Sequence, residues 1–200
     1  MTDNPIYSFN DPVNYTVKHP LQNNWTLWYD DPAAMKNTNI SWDENLKTIM
    51  TVNSIEDFFG LVNHIKKPSD IPISANYHLF KTGVRPAWED KENSKGGKWT
   101  FGFNRQKRTP EIDPIWMNIM LALIGEQFDH SDDITGAVIS IRKGVDRIAI
   151  WTKSYDNPER TIRIGEQFKS FLDTRDRIGF QAHSDTAVKT GSTVKDRYNC

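Results

Sequence analysis

Trp88 and Glu89 carry the most specific chemistry of the sequence. They lie in the hexapeptide Arg85–Asp90, among Pro, Glu, Asp, Lys and Asn, with no apolar periodicity on either side. A tryptophan in such a loop can present the flat face of its indole to a planar ring, and the neighbouring carboxylate can accept hydrogen bonds from the edge of that ring. A positive charge on the ring would strengthen the stacking. The pair therefore suits a cationic purine; the alternative for this stretch is a tryptophan that covers an edge of the core.

Trp42 is a second tryptophan in polar surroundings. It lies between Ser41 and Asp43, at the end of a largely polar loop that begins at Asp30. In this respect it resembles Trp88 and differs from the other five tryptophans of the chain.

The segment from Ile134 to Trp151 predicts a β-hairpin that turns at Lys143 to Asp146. Because side chains alternate along a strand, its isoleucines share one face. The opposite face carries Ser140, Arg142, Arg147, Ala149 and Trp151. This face is either an exposed basic patch with one aromatic ring or an ordinary solvated sheet face.

Length and composition favour one folded domain. The chain has 200 residues, 37% of them hydrophobic, and a net charge of −1. We expect a flexible tail over residues 1–18 and one domain over residues 19–200. A protein that wraps long nucleic acid is usually basic, so any phosphate recognition must come from a local cluster and a short ligand. There is no apolar run of transmembrane length and no secretory signal, and the single cysteine, Cys200, predicts a reducing cytosolic or nuclear compartment.

The remaining elements predict an α+β fold with helices on one face of a sheet. Ser54 and the pair Asp113-Pro114 are predicted N-terminal caps of two amphipathic helices, and a third helix follows Pro158. Met117 and Leu121 lie beside the core stripe of the second helix, which indicates either deep burial or a groove for a partner helix. The segment from His183 to Ser192 is rich in Ser, Thr and Gly, and we expect it to be mobile.

Catalytic signatures are not visible in the sequence. It has no glycine-rich phosphate loop, no Cys or His pairs at metal spacing and no Gly-x-Ser-x-Gly motif. A hydrolase that acts on a nucleotide or a capped end therefore lacks a visible base, nucleophile or metal site. We keep it as the alternative from a different functional class.

Taken in order, the motifs resemble the translation initiation factor 4E family, whose members bind the 5′ cap of mRNA. The similarity covers roughly residues 18–198, and the motifs have the family's order and spacing. They are His19-Pro20-Leu21-Gln22-Asn23, Trp25-Thr26-Leu27-Trp28, Glu56-Asp57-Phe58, Arg85-Pro86-Ala87-Trp88-Glu89-Asp90, Gly96-Gly97-Lys98-Trp99, Ile124-Gly125-Glu126, Ile148-Ala149-Ile150-Trp151 and the segment from His183 to Ser192.

The resemblance implies a single curved antiparallel β-sheet with three long helices packed on its convex face. It also implies that Trp42 and Trp88 sandwich 7-methylguanine, that Glu89 accepts hydrogen bonds from the base, and that Trp151 touches the N7-methyl group. The positions that match the phosphate-binding cluster are Arg142, Arg147 and, where many members carry Arg, Lys98.

A second surface is implied for the initiation scaffold protein and for repressors, which the family binds through a Tyr-x4-Leu-apolar helix. The matching positions are His19, Pro20, Ile55, Phe59, Met117, Leu121 and Gly125. Phe59 departs from the family pattern, because a Trp whose indole N–H contacts the peptide usually stands there, and Asn118 replaces a common acid. We therefore expect weakened or altered scaffold binding, with a cap-competing regulatory paralogue as an alternative to a normal initiation factor.

Ser192 matches the phosphorylatable serine of the family's tail, although an unmodified tail is equally compatible with the sequence. The resemblance further implies a non-enzymatic protein that needs no cofactor and no metal, that is monomeric by itself and that is cytoplasmic, with a nuclear location as a second possibility.

Overall fold

The computed structural model describes residues 17–35, 41–104, 112–187 and 195–200. Helices and strands alternate irregularly along these parts of the chain. In order they are β1 (Pro20–Asp30), α1 (Pro32–Met35), α2 (Trp42–Asn45), β2 (Lys47–Ser54), α3 (Ile55–His64), β3 (Asn76–Lys81), β4 (Gly97–Asn104), α4 (Ile112–Ile124), β5 (Ile134–Ser140), β6 (Val145–Thr152), α5 (Pro158–Phe171), β7 (Gly179–Ala182), α6 (His183–Ala187) and β8 (Tyr198–Asn199).

The strands form one eight-stranded sheet in the order β2-β1-β3-β5-β6-β4-β7-β8. Every pairing in it is antiparallel. The predicted hairpin is β5 and β6, in which Ile139 lies opposite Ile148 and Ser140 lies opposite Arg147. The expected α+β class, a single curved antiparallel sheet with three long helices, is confirmed.

Strand alternation separates the two faces of this sheet. One face packs into the hydrophobic core together with residues of α3, α4 and α5, and its side chains are fully buried. They include Leu27, Leu79, Trp99, Ile139, Ile148 and Ile150. The other face carries the polar residues of the same strands, among them Ser140 and Arg147, so it remains available for a ligand.

Two local predictions about capping have different outcomes. Ser54 caps α3 as expected, because its hydroxyl accepts a hydrogen bond from the backbone N–H of Asp57. The predicted N-cap at Asp113 is wrong, since α4 already begins at Ile112. The Asp113 carboxylate instead accepts bonds from the backbone N–H and the hydroxyl of Ser69, at 2.9 and 2.7 Å, and thereby ties α4 to the 3₁₀ turn Pro68–Asp70.

The chain ends are described only in part. Of the predicted tail over residues 1–18, the structure describes residues 17 and 18, and Lys18 forms an ion pair with Asp57. Within the segment expected to be mobile, residues 183–187 form the helix α6. Ser192 lies outside the described residues. The helices that the structure describes are all too short or too polar to cross a lipid bilayer.

Gly165 lets α5 approach the sheet closely, and this contact yields a prediction about stability. A Cβ atom at Gly165 would lie 2.5 Å from two ring carbons of Trp99, whose indole N–H donates to the carbonyl of Thr161. We expect Gly165→Ala to lower the free energy of unfolding by roughly 1–3 kcal/mol, because the crowding outweighs the gain in helix propensity.

Gly60 is the matched control in α3, since a Cβ there would meet nothing within 4 Å. Gly60→Ala should raise the free energy of unfolding by up to about 1 kcal/mol. Chemical denaturation of both variants measures the difference, and equal effects of the two substitutions would contradict the assigned packing.

Candidate functional site

A cleft of about 420 Å³ lies on the open face of the sheet, beneath the loops that carry the two predicted ligand-binding tryptophans. This volume is typical of small-molecule sites. Every residue that the sequence assigned to base or phosphate binding lines it: Trp42, Trp88, Glu89, Lys98, Arg142, Arg147 and Trp151. The structure therefore brings together side chains that are up to 109 positions apart in the chain (151 minus 42).

Trp42 is held at the first position of the short helix α2. Ser41 and Glu44 form a capping box around this helix: the Ser41 hydroxyl accepts from the backbone N–H of Glu44, and the Glu44 carboxylate accepts from that of Ser41. The box satisfies backbone donors that the start of a helix leaves free. It fixes the backbone that carries the indole, and the Ser-x-x-Glu pattern was a signal in the sequence that our interpretation of Trp42 did not use.

Trp88 is exposed because its loop is stabilised by polar side chains and not by burial of the indole. The side chain of Asn93 is fully buried and donates to the carbonyls of Arg85 and Ala87, both at 2.9 Å. The Asp90 carboxylate accepts from the backbone N–H groups of Arg85 and Glu92. The loop therefore keeps its shape while 43% of Trp88 faces solvent.

Arg85 connects the two tryptophan-bearing loops. Its guanidinium lies over the ring of Trp42, 5.6 Å from the ring centroid, and forms an ion pair with Asp43. The contact shows that the Trp42 ring can accept a cation on its face. Arg85 belongs to the hexapeptide that carries Trp88 and Glu89, and the sequence predicted no role for it.

Trp151 is positioned at one end of the cleft by two neighbouring rings. Phe80 meets it edge-on, at 5.5 Å between centroids, and His183 packs on it at 4.2 Å. Burial, and secondarily the positive charge of Lys98, lowers the pKa of His183 to about 4, so that the ring is neutral near pH 7.

Three cations lie in the cleft, and two of them are partly desolvated. Arg142 donates from its guanidinium to the carbonyls of Ser74 and Ile141 and to the side-chain oxygen of Asn76, at 2.8–3.0 Å. Burial, followed by the proximity of Arg147, lowers the pKa of Arg142 and also that of Lys98. Cations that repel one another in a partly buried site attract an anion strongly.

Three polar residues without a predicted role lie under the cleft: Asp30, Asn76 and His78 are all buried and all line it. Asp30 was taken only as the start of a loop. The available signal was strand alternation, because polar residues at the end of β1 and along β3 belong to the face opposite the buried Leu27 and Leu79.

A second candidate surface lies on the helical side of the molecule. Ile55 and Phe59 on α3 and Leu121 on α4 are exposed large apolar residues, at 43, 45 and 37%. Met117 lines a hollow of about 470 Å³ together with Val62 of α3 and Ile65, the residue that follows α3, so α3 and α4 border a common depression. Gly125 and Pro20 are also exposed.

The segment that enters β1 belongs to the same helical side. The backbone N–H and the ring of His19 both bind Glu56 of α3, at 2.8 and 2.7 Å, and the His19 carbonyl accepts from the backbone N–H of Ile55. The predicted partner-binding residues therefore lie on the helical side of the sheet, away from the cleft. Among the residues that the structure describes, no group of three or more His, Cys, Asp or Glu side chains could hold a metal ion.

Comparison with known proteins identifies related sequences and folds. The sequence model of the family "Eukaryotic initiation factor 4E" matches residues 20–198. The chain is 42% identical to human eukaryotic translation initiation factor 4E over 191 residues, which cover 94% of this chain and 86% of the human protein.

Two solved nematode structures are also similar. Ascaris suum eIF4E-3, in complex with an m2,2,7G cap, has a TM-score of 0.82 and 36% identity, and the match covers 92% of this chain and 98% of the other. Caenorhabditis elegans eIF4E-3, in complex with the 4E-binding protein Mextli and a cap analogue, has a TM-score of 0.81 and 33% identity, with coverage of 92% and 100%.

The depressed pKa of His183 predicts a specific loss of stability in acid. Because the folded state keeps His183 neutral down to about pH 4 while an ordinary histidine takes up a proton near 6.5, the unfolded state binds more protons between these values. Stability therefore falls as pH decreases through this window, by up to about 3 kcal/mol for this one residue. His183→Phe, which retains a ring against Trp151, should lose less stability between pH 7 and pH 4.5 than the wild type in urea denaturation.

A matched control is His64→Gln, at an exposed position on α3. The effect assigned to His183 is the part of the pH dependence that His183→Phe loses and His64→Gln keeps. Parallel stability curves for the wild type and His183→Phe would contradict the assigned burial.

Proposed function

Because the chain belongs to the eukaryotic initiation factor 4E family, we propose that it binds the 7-methylguanosine 5′ cap of mRNA in the cleft and recruits the translation initiation scaffold through its helical surface. The observation that carries the proposal is the convergence of the Trp42 and Trp88 indoles, the Glu89 carboxylate and three cations on a single cleft. The cap-bound complexes of the two nematode relatives support the same ligand class.

Recognition of the base rests on its positive charge. Methylation at N7 makes guanine cationic, which strengthens its stacking between Trp42 and Trp88 and makes its N–H groups better donors to Glu89. Each stack contributes roughly 1–3 kcal/mol, and each hydrogen bond to a charged group roughly 1.5–3 kcal/mol. Association removes several kcal/mol of this sum. The net result is an affinity in the micromolar range or better, with much weaker binding of the unmethylated nucleotide.

The other end of the cleft suits the phosphates. Burial and the proximity of Arg147 lower the pKa of Arg142 and of Lys98, so a chain of phosphates would relieve the repulsion among the three cations and form charge-assisted hydrogen bonds. Trp151, held by Phe80 and His183, would contact the N7-methyl group. In this arrangement the base decides whether a ligand binds, and the phosphates add affinity.

The helical surface is the proposed docking site for the scaffold protein and for repressors that present a Tyr-x4-Leu-apolar helix. The complex of the C. elegans relative with the 4E-binding protein Mextli supports the presence of a protein partner. Ile55, Phe59 and Leu121 supply exposed apolar area, while Phe59 lacks the N–H that a tryptophan would donate. Binding of the partner is therefore weaker than in a typical member, which favours a cap-competing regulatory paralogue as the second candidate.

We further propose that the protein binds caps without turnover, acts in the cytoplasm with a possible nuclear pool, and is monomeric unless held by a scaffold. Release of diphosphate or nucleoside monophosphate from a capped dinucleotide in the presence of Mg²⁺ would instead establish the alternative of a hydrolase. Phosphorylation of Ser192 is a separate proposal, since a phosphate there would add negative charge to the tail.

Quenching of tryptophan fluorescence by 7-methyl-GTP and by GTP tests the proposed function directly. We expect strong quenching by the methylated nucleotide and little by GTP at the same concentration. Trp88→Ala and Glu89→Ala should abolish retention on a 7-methyl-GTP resin while the protein stays folded. Glu92→Gln, which removes a nearby charge outside the cleft, is the control and should be retained; equal binding of the two nucleotides by the wild type would overturn the proposal.

Removing the arginines at the cationic end of the cleft should change how ligand affinity depends on the number of phosphates and on salt concentration. Arg147→Ala, alone or with Arg142→Ala, should weaken binding of 7-methyl-GTP much more than that of 7-methylguanosine and flatten its salt dependence. Because Arg142 also binds backbone carbonyls, the single Arg147 variant is the cleaner test. Arg163→Ala on the exposed face of α5 removes the same charge and should have no effect; an equal loss for nucleoside and triphosphate would contradict the assignment.

Restoring the missing donor should strengthen partner binding. Phe59→Trp is expected to raise the affinity for a Tyr-x4-Leu-apolar peptide by roughly 0.5–1.5 kcal/mol, the contribution of one hydrogen bond. Isothermal titration of the peptide measures the change, and Ile73→Trp, at another exposed apolar position, controls for added aromatic area. Identical affinities of wild type and Phe59→Trp would defeat the idea.

A further inference from the structure

Asp30 is a buried carboxylate directly under the cleft. It is completely inaccessible to solvent and accepts hydrogen bonds from the side-chain amide of Asn76, at 3.0 and 3.1 Å, and from Nε2 of His78, at 2.5 Å. A buried carboxylate is costly unless donors surround it. Asp30 is therefore a fixed acceptor that holds the imidazole of His78 in one orientation.

The second ring nitrogen of His78, Nδ1, differs from Nε2 in its surroundings within the described part of the chain. Among the residues that the structure describes, no protein atom forms a hydrogen bond with Nδ1, although this atom is buried. His78 as a whole is only 6% exposed and lines the cleft. A buried polar atom without a partner destabilises the folded state, and such atoms in native proteins generally meet a partner. The position of His78 indicates that this partner arrives in the cleft.

Strand register places His78 between the two ends of the cleft. On the open face, His78 lies opposite Val138, and Val138 lies opposite Ala149. On one side of His78, the next row of paired residues across the strands is Asn76, Ser140 and Arg147. On the other side, the corresponding row is Phe80, Gly136 and Trp151. The imidazole is thus located between the proposed phosphate-binding and base-binding residues.

In a nucleotide, the ribose and the α-phosphate join the base to the outer phosphates. We propose that His78, oriented by Asp30, is an additional ligand-binding residue whose Nδ1 forms a hydrogen bond with the ribose–α-phosphate segment of the capped nucleotide. This inference rests on the proposed function and adds His78 to the residues that determine the specificity of cap binding. Asp30 acts through His78 and is a positioning residue.

The chemistry of the pair is compatible with either part of that segment. A carboxylate can only accept, so Nε2–H of His78 donates to Asp30. In the neutral ring Nδ1 then accepts from a ribose hydroxyl, whereas in the protonated ring Nδ1–H donates to a phosphate oxygen. Asn76 shares the same carboxylate and also binds Arg142, so one buried acid organises the floor and the cationic end of the cleft.

Affinities of wild type and His78→Phe for a set of methylated ligands test the contact. The set comprises 7-methylguanosine, 7-methyl-GMP, 7-methyl-GTP and the 2′-deoxy and 3′-deoxy forms of 7-methyl-GMP. We expect His78→Phe to bind 7-methyl-GMP roughly 5- to 15-fold more weakly, the effect of one hydrogen bond. If this difference disappears for a deoxy form, the ribose is the partner; if it disappears for the nucleoside, the α-phosphate is.

An equal loss for every ligand, or no loss for any, would overturn the contact while leaving the proposed function intact. A wild type that fails to bind 7-methyl-GTP would overturn both. Because His78→Phe leaves Asp30 with fewer donors, the double variant Asp30→Asn/His78→Phe provides a second measurement with the same expected pattern. Tyr77→Phe is the matched control on the other face of β3, where it removes only a bond from the tyrosine hydroxyl to the Lys66 carbonyl, and should bind every ligand as the wild type does.

Discussion

Side chains alternate between the two faces of the single sheet, and the long helices cover one of those faces. The core therefore takes every second residue of β1, β3, β4, β5 and β6, and the intervening residues are left for a ligand. Gly165 illustrates how closely the covered face is packed, since α5 lies against the ring of Trp99 with no space for a methyl group. Such packing gives the open face a rigid floor, and the cleft needs this rigidity because Trp42 and Trp88 come from segments outside the sheet.

Those loops are ordered by hydrogen bonds more than by apolar burial. Ser41 and Glu44 fix the helix that begins with Trp42, and Asn93 with Asp90 fixes the backbone around Trp88. If the backbone around an exposed indole is already stable, the fold loses little stability when no ligand covers that indole. Preorganisation of this kind reduces the ordering cost that binding would otherwise carry.

The sequence predicted the elements better than it predicted the contacts between them. Periodicity located the hairpin, the three long helices and the buried face of Trp99 and Phe101, because these patterns depend on neighbours along the chain. Asp113 shows the limit: its carboxylate was expected to cap its own helix, but Ser69 offers two donors from a distant segment. Nothing near Asp113 in the sequence indicates that competition.

In the candidate site, too, some residues could be predicted from the sequence and others depend on contacts between distant segments. Residue types alone pointed to Trp88, Glu89 and the basic face of the hairpin, and family resemblance supplied Trp42 as their partner. Asp30, Asn76 and His78 escaped notice because each is an unremarkable polar residue locally, and their importance comes from being buried together. Sequence patterns assign a strand face, but they do not show which polar residues on that face are enclosed.

The strand β1 has a consequence for energetic coupling. It begins beside the helical surface, where His19 binds α3, and ends at Asp30 beneath the cleft. Two ligands on opposite sides can therefore occupy the molecule simultaneously and communicate only through the protein between them. Thermodynamic linkage then requires reciprocity: if a scaffold peptide changes the dissociation constant of the cap by some factor, the cap changes that of the peptide by the same factor.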